Sequence, residues 1–136
     1  MATKKKIIKY SDKPWLDHYE KDVRPKLKYE NMNLPEFLER SAGMYPDRMA
    51  LNFQGYIITY KQLNEMVNCF AACLTDLGLK KGDKAAILLP NMIQCVISYY
   101  AMLKIGVIVV MNNPLYTDRE LEHQFNDSDS KLLITI

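Results

Sequence analysis

Thiols and imidazoles are the side chains of this sequence best suited to holding a metal ion. Cys69 and Cys73 are four residues apart, so a helix would present both sulfurs on one face. Only Cys95, His18 or His123 remain to complete such a site. Because a cysteine inside an apolar helical pattern usually fills small spaces in the core, we expect three reduced thiols, free of metal and packed in the interior.

Two further groups of side chains could form a site. An acidic patch is formed by Glu120, Glu122, Asp127 and Asp129. Carboxylates spaced in this way along a helix are typical of a solvated surface. Tyr99 and Tyr100 stand beside Met102 and could line a ligand pocket, but at helical spacing we expect them to pack in the core.

Motifs for phosphate binding and nucleophilic catalysis are missing. The five glycines, at 43, 55, 78, 82 and 106, never cluster into GxGxxG or GxxxxGK[ST]. The serines at 11, 41, 98, 128 and 130 lie neither in a nucleophile elbow nor beside a base. Taken alone, the residues therefore predict no catalytic, cofactor-binding or metal-binding position as far as Ile136.

Composition places the chain among ordinary globular proteins. It has 136 residues, of which 49% are hydrophobic and 25% charged, and its net charge of +2 excludes the strong field of a polyanion binder. An odd number of cysteines and no signal-peptide pattern predict a reducing, cytoplasmic compartment.

The basic excess is confined to residues 1–30, which hold nine basic and five acidic residues. Prolines at 14 and 25 make regular structure improbable there, so we expect an extended basic arm laid over the surface of the domain. Its lysines and aromatic residues could contact a membrane surface or single-stranded nucleic acid, but the interspersed acidic residues and the lack of an amphipathic period argue against either as the main function. We expect no nucleic acid partner, and only a peripheral contact with anionic membrane as an accessory role.

Residues 31–60 begin with helix and hairpin signals. Asn33 precedes a proline and two acidic residues, which predicts a helix that stops by Tyr45. Two strand-like runs, Met49–Phe53 and Tyr56–Tyr60, are separated only by Gln54 and Gly55, which predicts a tight hairpin.

Three later helix starts share one device. A capping residue is followed three positions on by a side chain that can reach back, at Thr59 with Gln62, Asn91 with Gln94, and Thr117 with Glu120. The first of these helices ends at Gly78 and carries an apolar stripe of Leu63, Met66, Val67, Phe70, Leu74 and Leu77.

Three apolar runs, at residues 85–89, 107–111 and 132–136, alternate with the helices at 92–104 and 118–126. This order predicts an α/β fold: the first part of a doubly wound, mainly parallel sheet with helices on both faces. Because the last strand has no covering helix after it, we expect residues 31–136 to be an incomplete domain at the front of a larger protein.

Residues 92–111 carry one charge, at Lys104, and approach the length of a membrane span. The charge, the polar residues at the start and Gly106 near the end instead indicate a buried helix followed by a buried strand.

Several short motifs are uninformative one by one but occur in a characteristic order and spacing. T-Y-x-x-L begins at Thr59, G-x-x-x-G-D-K-A-A-I-L-L-P-N runs from Gly78 to Asn91, and Y-A-M-L-K-I-G from Tyr100 to Gly106. The series resembles the opening blocks of the adenylate-forming acyl-CoA synthetase superfamily. P-W-L-x-x-Y from Pro14 and N-P-L-Y-T-D-R-E-L from Asn113 resemble its long-chain fatty acid CoA ligase branch in particular.

The resemblance covers residues 14–136 and departs from relatives at residues 105–110. It implies a fatty acid substrate, activation by ATP with Mg²⁺ to an acyl adenylate, and transfer to coenzyme A. The family's phosphate loop, Thr-Glu motif, ribose-binding aspartate and catalytic lysine have no matching position before Ile136, so no site residue is carried over. The matched residues then serve as scaffold: Thr59, Gly78, Asp83, Gly106 and Pro114.

This interpretation makes the isolated chain inactive, without bound cofactor, and prone to self-association or homo-oligomer formation through its exposed edge. A second hypothesis remains open, in which the chain is a self-contained flavodoxin-like domain that binds a ligand at its strand ends.

Overall fold

The computed structural model describes residues 10–136, which cluster into two compact units divided after Asn31. In the first unit, two short 3-10 helices span Tyr10–Asp12 and Pro14–His18, and no helix or strand follows before Met32. The rings of Tyr10 and Trp15 lie 5.0 Å apart. The 3-10 turns correct the expectation of a uniformly extended arm, and its first four lysines lie outside the described residues.

The second unit opens with a capped helix and a hairpin. Helix α1, Leu34–Met44, starts at a capping box in which Asn33 Oδ1 accepts from the Glu36 amide at 3.0 Å. Strands β1, Met49–Phe53, and β2, Tyr56–Thr59, pair antiparallel. Their two turn residues both have positive φ, as this tight hairpin requires.

Helix α2, Tyr60–Asp76, follows the hairpin directly. Strand β2 therefore ends at Thr59, one residue before the predicted end at Tyr60. Thr59 Oγ1 accepts from the Gln62 amide at 3.3 Å, and the Gln62 side chain accepts from the Thr59 amide at 3.0 Å. After the helix, Gly78 adopts φ 92°, which a residue with a Cβ rarely adopts. The predicted cap and stop are both confirmed.

A parallel sheet forms the remainder of the unit, as predicted. Its elements are β3 (Lys84–Ile87), α3 (Ile93–Lys104), β4 (Ile108–Met111), α4 (Asp118–Ser128) and β5 (Leu132–Ile134). The strand order is β4-β3-β5, with Ala85 of the central strand aligned to Val109 on one side and Leu132 on the other.

This strand order places helices on both faces of the sheet. The chain moves from β3 to its neighbour β4, and then returns past β3 to reach β5. Right-handed crossovers in opposite directions leave α3 and α4 on opposite faces. The α/β, doubly wound class predicted from the sequence is confirmed.

The core lies between α2, α3 and the sheet. Its most deeply buried large side chains are Ile58, Leu74, Ile87, Met102 and Val67. At the rim, the Lys104 ammonium of α3 contacts the Glu39 carboxylate of α1 and the side-chain oxygen of Asn68 of α2. The three helices are thereby joined through one cation.

Two local predictions were wrong. Helix α3 has Met92 at its N-cap, without a side-chain hydrogen bond, because Met92 is extended at φ −138° and Asn91 lies one position too early. The apolar stripe of α2 is also only partly covered, since Met66 and Leu77 are 38% and 70% exposed.

Helix and strand divide residues 92–111 as predicted, with α3 ending before β4 begins. Among residues 10–136 no helix has the length and apolar character that a membrane span needs.

Candidate functional site

The carboxyl ends of the parallel strands form the candidate site. Open α/β sheets usually bind ligands at this edge, at the point where the strand order reverses. In the order β4-β3-β5 that point lies between β3 and β5, because the chain leaves β3 for one neighbour and returns past it to reach the other. Pro90 and Asn91 follow β3, and Asn112 to Pro114 follow β4. The backbone is fixed there, because the Asn112 amide donates to the Ile87 carbonyl at 2.9 Å.

Asn112 carries the unusual polar group of this edge. Its side chain is 6% exposed and its Nδ2 donates to the carbonyls of Val110, at 3.0 Å, and Ile87, at 3.4 Å. Its Oδ1 is buried and has no partner among the described residues. A buried acceptor without a donor costs free energy, so this oxygen is available to accept one hydrogen bond from a ligand or a further segment.

Sequence reasoning missed Asn112. The available signal was its place directly after the β-branched run of β4, since polar residues that follow a buried strand lie at the carboxyl edge. The neighbouring Asn113 has a structural role, because its Oδ1 accepts from the Leu115 amide at 3.0 Å and closes the turn that contains Pro114.

Apolar cavities adjoin this edge. One, of about 290 Å³, lies between the hairpin and the start of α3, lined by Leu51, Phe53, Met92, Ile93 and Val96 with Asn52, Asn91 and Cys95. The Phe70 cavity, of about 230 Å³, has Leu89, Ile97, Ile134 and Ile136 among its walls. These surfaces suit hydrocarbon better than a charged ligand.

The cysteines are placed differently from the prediction. Cys95 is half-buried beside the first cavity, and its burial raises the pKa of the thiol. Cys69 and Cys73 are exposed on α2, so the expectation that all three pack in the core was wrong for these two. The residues from Tyr10 onward contain no group of three or more metal-ligating side chains. Metal-free thiols stay a prediction.

The other sequence candidates do not converge on the edge. Tyr99 and Tyr100 stack edge-to-face at 5.7 Å and pack against the core, as predicted. In the acidic patch, the Glu120 carboxylate accepts from the Thr117 amide at 2.8 Å and from its hydroxyl, and these bonds lower the pKa of Glu120. The other three carboxylates are exposed, as predicted.

One ion pair lies at the opposite, amino edge of the sheet. The Lys131 ammonium lies 2.5 Å from Asp83 Oδ1, and the Lys80 amide donates to the same carboxylate at 2.9 Å. The first of these hydrogen bonds contributes most to lowering the pKa of Asp83, and the Asp83 contact raises the pKa of Lys131. This pair joins the loops that precede β3 and β5.

Comparison with known proteins identifies the architecture. The sequence profile of the AMP-binding enzyme family matches residues 38–136. A long-chain-fatty-acid–CoA ligase of Bacillus subtilis is 43% identical over 126 residues, which cover 93% of this chain and 22% of that protein. The chain thus spans about a fifth of the length of the curated relatives it matches.

Solved structures agree with the sequence match. The N-terminal subdomain of NpsA from Klebsiella oxytoca superposes with a TM-score of 0.72 at 30% identity, covering 75% of this chain and 27% of that one. The o-succinylbenzoate CoA synthetase of Bacillus subtilis, solved with its acyl-adenylate intermediate, gives 0.70 at 32% identity, covering 73% and 26%. The shared part is the N-terminal part of adenylate-forming enzymes.

Proposed function

Because this chain belongs to the AMP-binding enzyme family, we propose that it serves as the N-terminal part of a long-chain fatty acid CoA ligase. The observation that carries the proposal is the 43% identity over 126 residues to a protein of that name. Residues 31–136 would form the first part of the N-terminal α/β domain, and residues 1–30 the basic arm.

The whole reaction would join a fatty acid to coenzyme A in two steps. The carboxylate displaces pyrophosphate from ATP to form an acyl adenylate, and the coenzyme A thiol then displaces AMP to form the thioester. ATP with Mg²⁺ and coenzyme A are the cosubstrates that this proposal requires.

The described residues of the carboxyl edge do not fit ATP with Mg²⁺. Polyphosphate needs several donors and a cation, whereas the cavities here have apolar walls and the unpartnered group of Asn112 is an acceptor. We therefore assign this chain the role of a scaffold, which positions strands β3 to β5, and derive no chemical step from its residues.

A chimeric ligase tests the proposal. Replacing the matched 126-residue region of the Bacillus subtilis ligase with this chain should give a soluble enzyme that forms palmitoyl-CoA from palmitate, ATP and coenzyme A. A matched chimera that also carries Leu74→Ala should lose activity with its stability, since Leu74 is 1% exposed. A folded but inactive chimera would contradict the proposal.

The 136-residue chain alone should show no fatty-acid-dependent exchange between ATP and pyrophosphate, because it offers no phosphate cradle. It should also self-associate, since Ile108, Met111 and Leu133 of the parallel sheet are 51%, 51% and 42% exposed. Exchange at the rate of the chimera would show that an active site has been missed.

We further propose a cytoplasmic protein with a peripheral contact to anionic membrane. The segment Val23–Tyr29 supports it, because Val23, Leu27 and Tyr29 are 47%, 60% and 84% exposed. Between them the segment has three basic residues and no acidic residue: Arg24, Lys26 and Lys28. Basic side chains near an anionic bilayer contribute about 1 kcal/mol each, and Leu27 and Tyr29 can enter the interface.

Vesicle binding tests this contact. The chain should bind vesicles of phosphatidylglycerol and phosphatidylcholine, with affinity that falls as salt rises. Glutamine in place of the three basic residues of Val23–Tyr29 should weaken binding about a hundredfold. A control variant has the same charge change elsewhere, with glutamine at Lys61, Lys81 and Arg119. Its vesicle affinity should be closer to that of the unsubstituted chain. Preference for single-stranded DNA over vesicles, or equal losses in both variants, would contradict it.

A family member that binds a ligand at its strand ends as a self-contained domain is the second candidate, and the buried, unpartnered Asn112 Oδ1 at the carboxyl edge favours it. The two candidates separate in the chimera experiment, because a domain that works by itself as a ligand-binding module would not restore palmitoyl-CoA formation.

A further inference from the structure

The C-terminal half of α2 carries two exposed thiols among exposed apolar side chains. Cys69 and Cys73 are both exposed, and Met66 and Leu77 are 38% and 70% exposed. Successive members of this set are three or four residues apart, so they follow one side of the helix. The apolar side of α2 is therefore wider than the part that the core covers.

An apolar cavity begins within one turn of both thiols. Phe70 follows Cys69 directly and precedes Cys73 by three residues, and its ring lines the Phe70 cavity of about 230 Å³. Side chains on a helix tilt toward its N terminus, which brings the Cys73 side chain toward the turn that carries Phe70. Neither thiol lines the cavity itself, so the Phe70 ring is the link between the cavity and the helix turns that carry Cys69 and Cys73.

The third thiol provides an internal comparison. Cys95 is half-buried in the first turn of α3, beside the cavity that adjoins the hairpin, and burial raises the pKa of its thiol. Because the thiolate is the nucleophile, a thiol that is both less accessible and harder to ionise reacts more slowly. Burial therefore disfavours chemistry at Cys95, and the two exposed thiols of α2 are the accessible ones.

We propose that Cys73, with Cys69 as a second acceptor, is an acylation site that takes a long-chain acyl group from an acyl-CoA thioester. The identity of the donor rests on the proposed function, since a long-chain fatty acid CoA ligase would form such thioesters as its product. The apolar cavity binds the acyl chain, and the exposed thiol receives the acyl group.

The transfer exchanges one thioester for another. The Cys73 thiolate attacks the thioester carbonyl, a bond forms from its sulfur to the acyl carbon, and the bond from that carbon to the coenzyme A sulfur breaks. Coenzyme A leaves as a thiolate and takes up a proton equivalent to the one that Cys73 released. No oxidant and no further energy source is required.

Intact-mass spectrometry of the 136-residue chain tests the site directly. Incubation with palmitoyl-CoA, below its critical micelle concentration, should add one palmitoyl group and then a second. Peptide mapping should place the first on Cys73 and the second on Cys69, and neutral hydroxylamine should remove both. Cys73→Ser should slow the first addition roughly tenfold, since proximity to the cavity is lost, whereas Cys95→Ser should leave it unchanged.

Two controls distinguish a site that binds the acyl chain from a thiol that reacts only because it is exposed. Iodoacetamide measures the accessibility of each thiol, and acetyl-CoA supplies the same chemistry without a long chain. The corrected rate of each thiol is its acylation rate divided by its iodoacetamide rate. For Cys73 this corrected rate should be several-fold higher with palmitoyl-CoA than with acetyl-CoA. Leu77→Ser, at a side chain 70% exposed, should reduce that preference without changing the iodoacetamide rate.

Any of three results would overturn the site. The chain could stay unmodified, Cys95 could be acylated as fast as Cys73, or the corrected rates for palmitoyl-CoA and acetyl-CoA could be equal. Because acyl-CoA is added directly, the experiment needs no ligase activity. An inactive chimera with acylated Cys73 would contradict the proposed function alone, and an active chimera with unmodified thiols would contradict the acylation site alone.

Discussion

Replacing Leu74 with alanine is expected to lower the free energy of unfolding by about 3 kcal/mol. The side chain is 1% exposed and belongs to the cluster that α2, α3 and the sheet form. Its truncation removes buried methyl groups and leaves a cavity that surrounding groups fill only in part. Urea denaturation followed by circular dichroism would measure the loss as a lower midpoint at an unchanged slope.

Leu77→Ala is the matched control, because it makes the same change three residues later, at the C-cap of the same helix. Leu77 is 70% exposed, so its truncation should cost about 0.5 kcal/mol or less. Equal losses for the two variants would show that the covered face of α2 has been assigned wrongly.

Gly106→Ala should cost about 2–3 kcal/mol, for two separate reasons. Gly106 adopts φ 76°, and an added Cβ would lie 2.8 Å from Lys81 Cγ and 3.2 Å from Lys81 Cβ. The loops cannot simply separate, because the Gly106 carbonyl accepts from the Gly82 amide at 2.9 Å. Thermal unfolding would report the cost as a lower melting temperature.

Gly55→Ala isolates the backbone part of that cost. Gly55 has φ 87° in the hairpin turn, and no atom would lie within 4 Å of an added Cβ. Its replacement should cost only about 1 kcal/mol, the usual strain of the left-handed region. If it proved as damaging as Gly106→Ala, the contact with Lys81 would have no energetic role.

Local signals in the sequence were sufficient to predict most elements of the domain. The capping boxes at Asn33 and Thr59, the two-residue hairpin turn and the glycine after α2 all depend on residues within a few positions of one another. Hydrogen bonds of this range form from adjacent chain, so their residue types can be read directly. The start of α3 was misplaced because Met92 stands at the cap without a side-chain bond.

The short series of motifs was likewise sufficient to indicate the family, and the profile match over residues 38–136 confirms it. Motif order and spacing are properties of the chain alone. The absence of a catalytic assignment within this chain stays a prediction.

Contacts between distant residues decided what local patterns could not. The apolar stripe of α2 predicted a buried face but not its width, so Cys69, Cys73 and Leu77 were placed in the core and are exposed. Burial depends on which elements pack alongside a helix, and those elements lie elsewhere in the chain. The strand order β4-β3-β5 arises in the same way and places Asn112 beside the end of β3, 25 residues earlier at Ile87. An isolated asparagine after a strand therefore becomes a buried acceptor only when the sheet has formed.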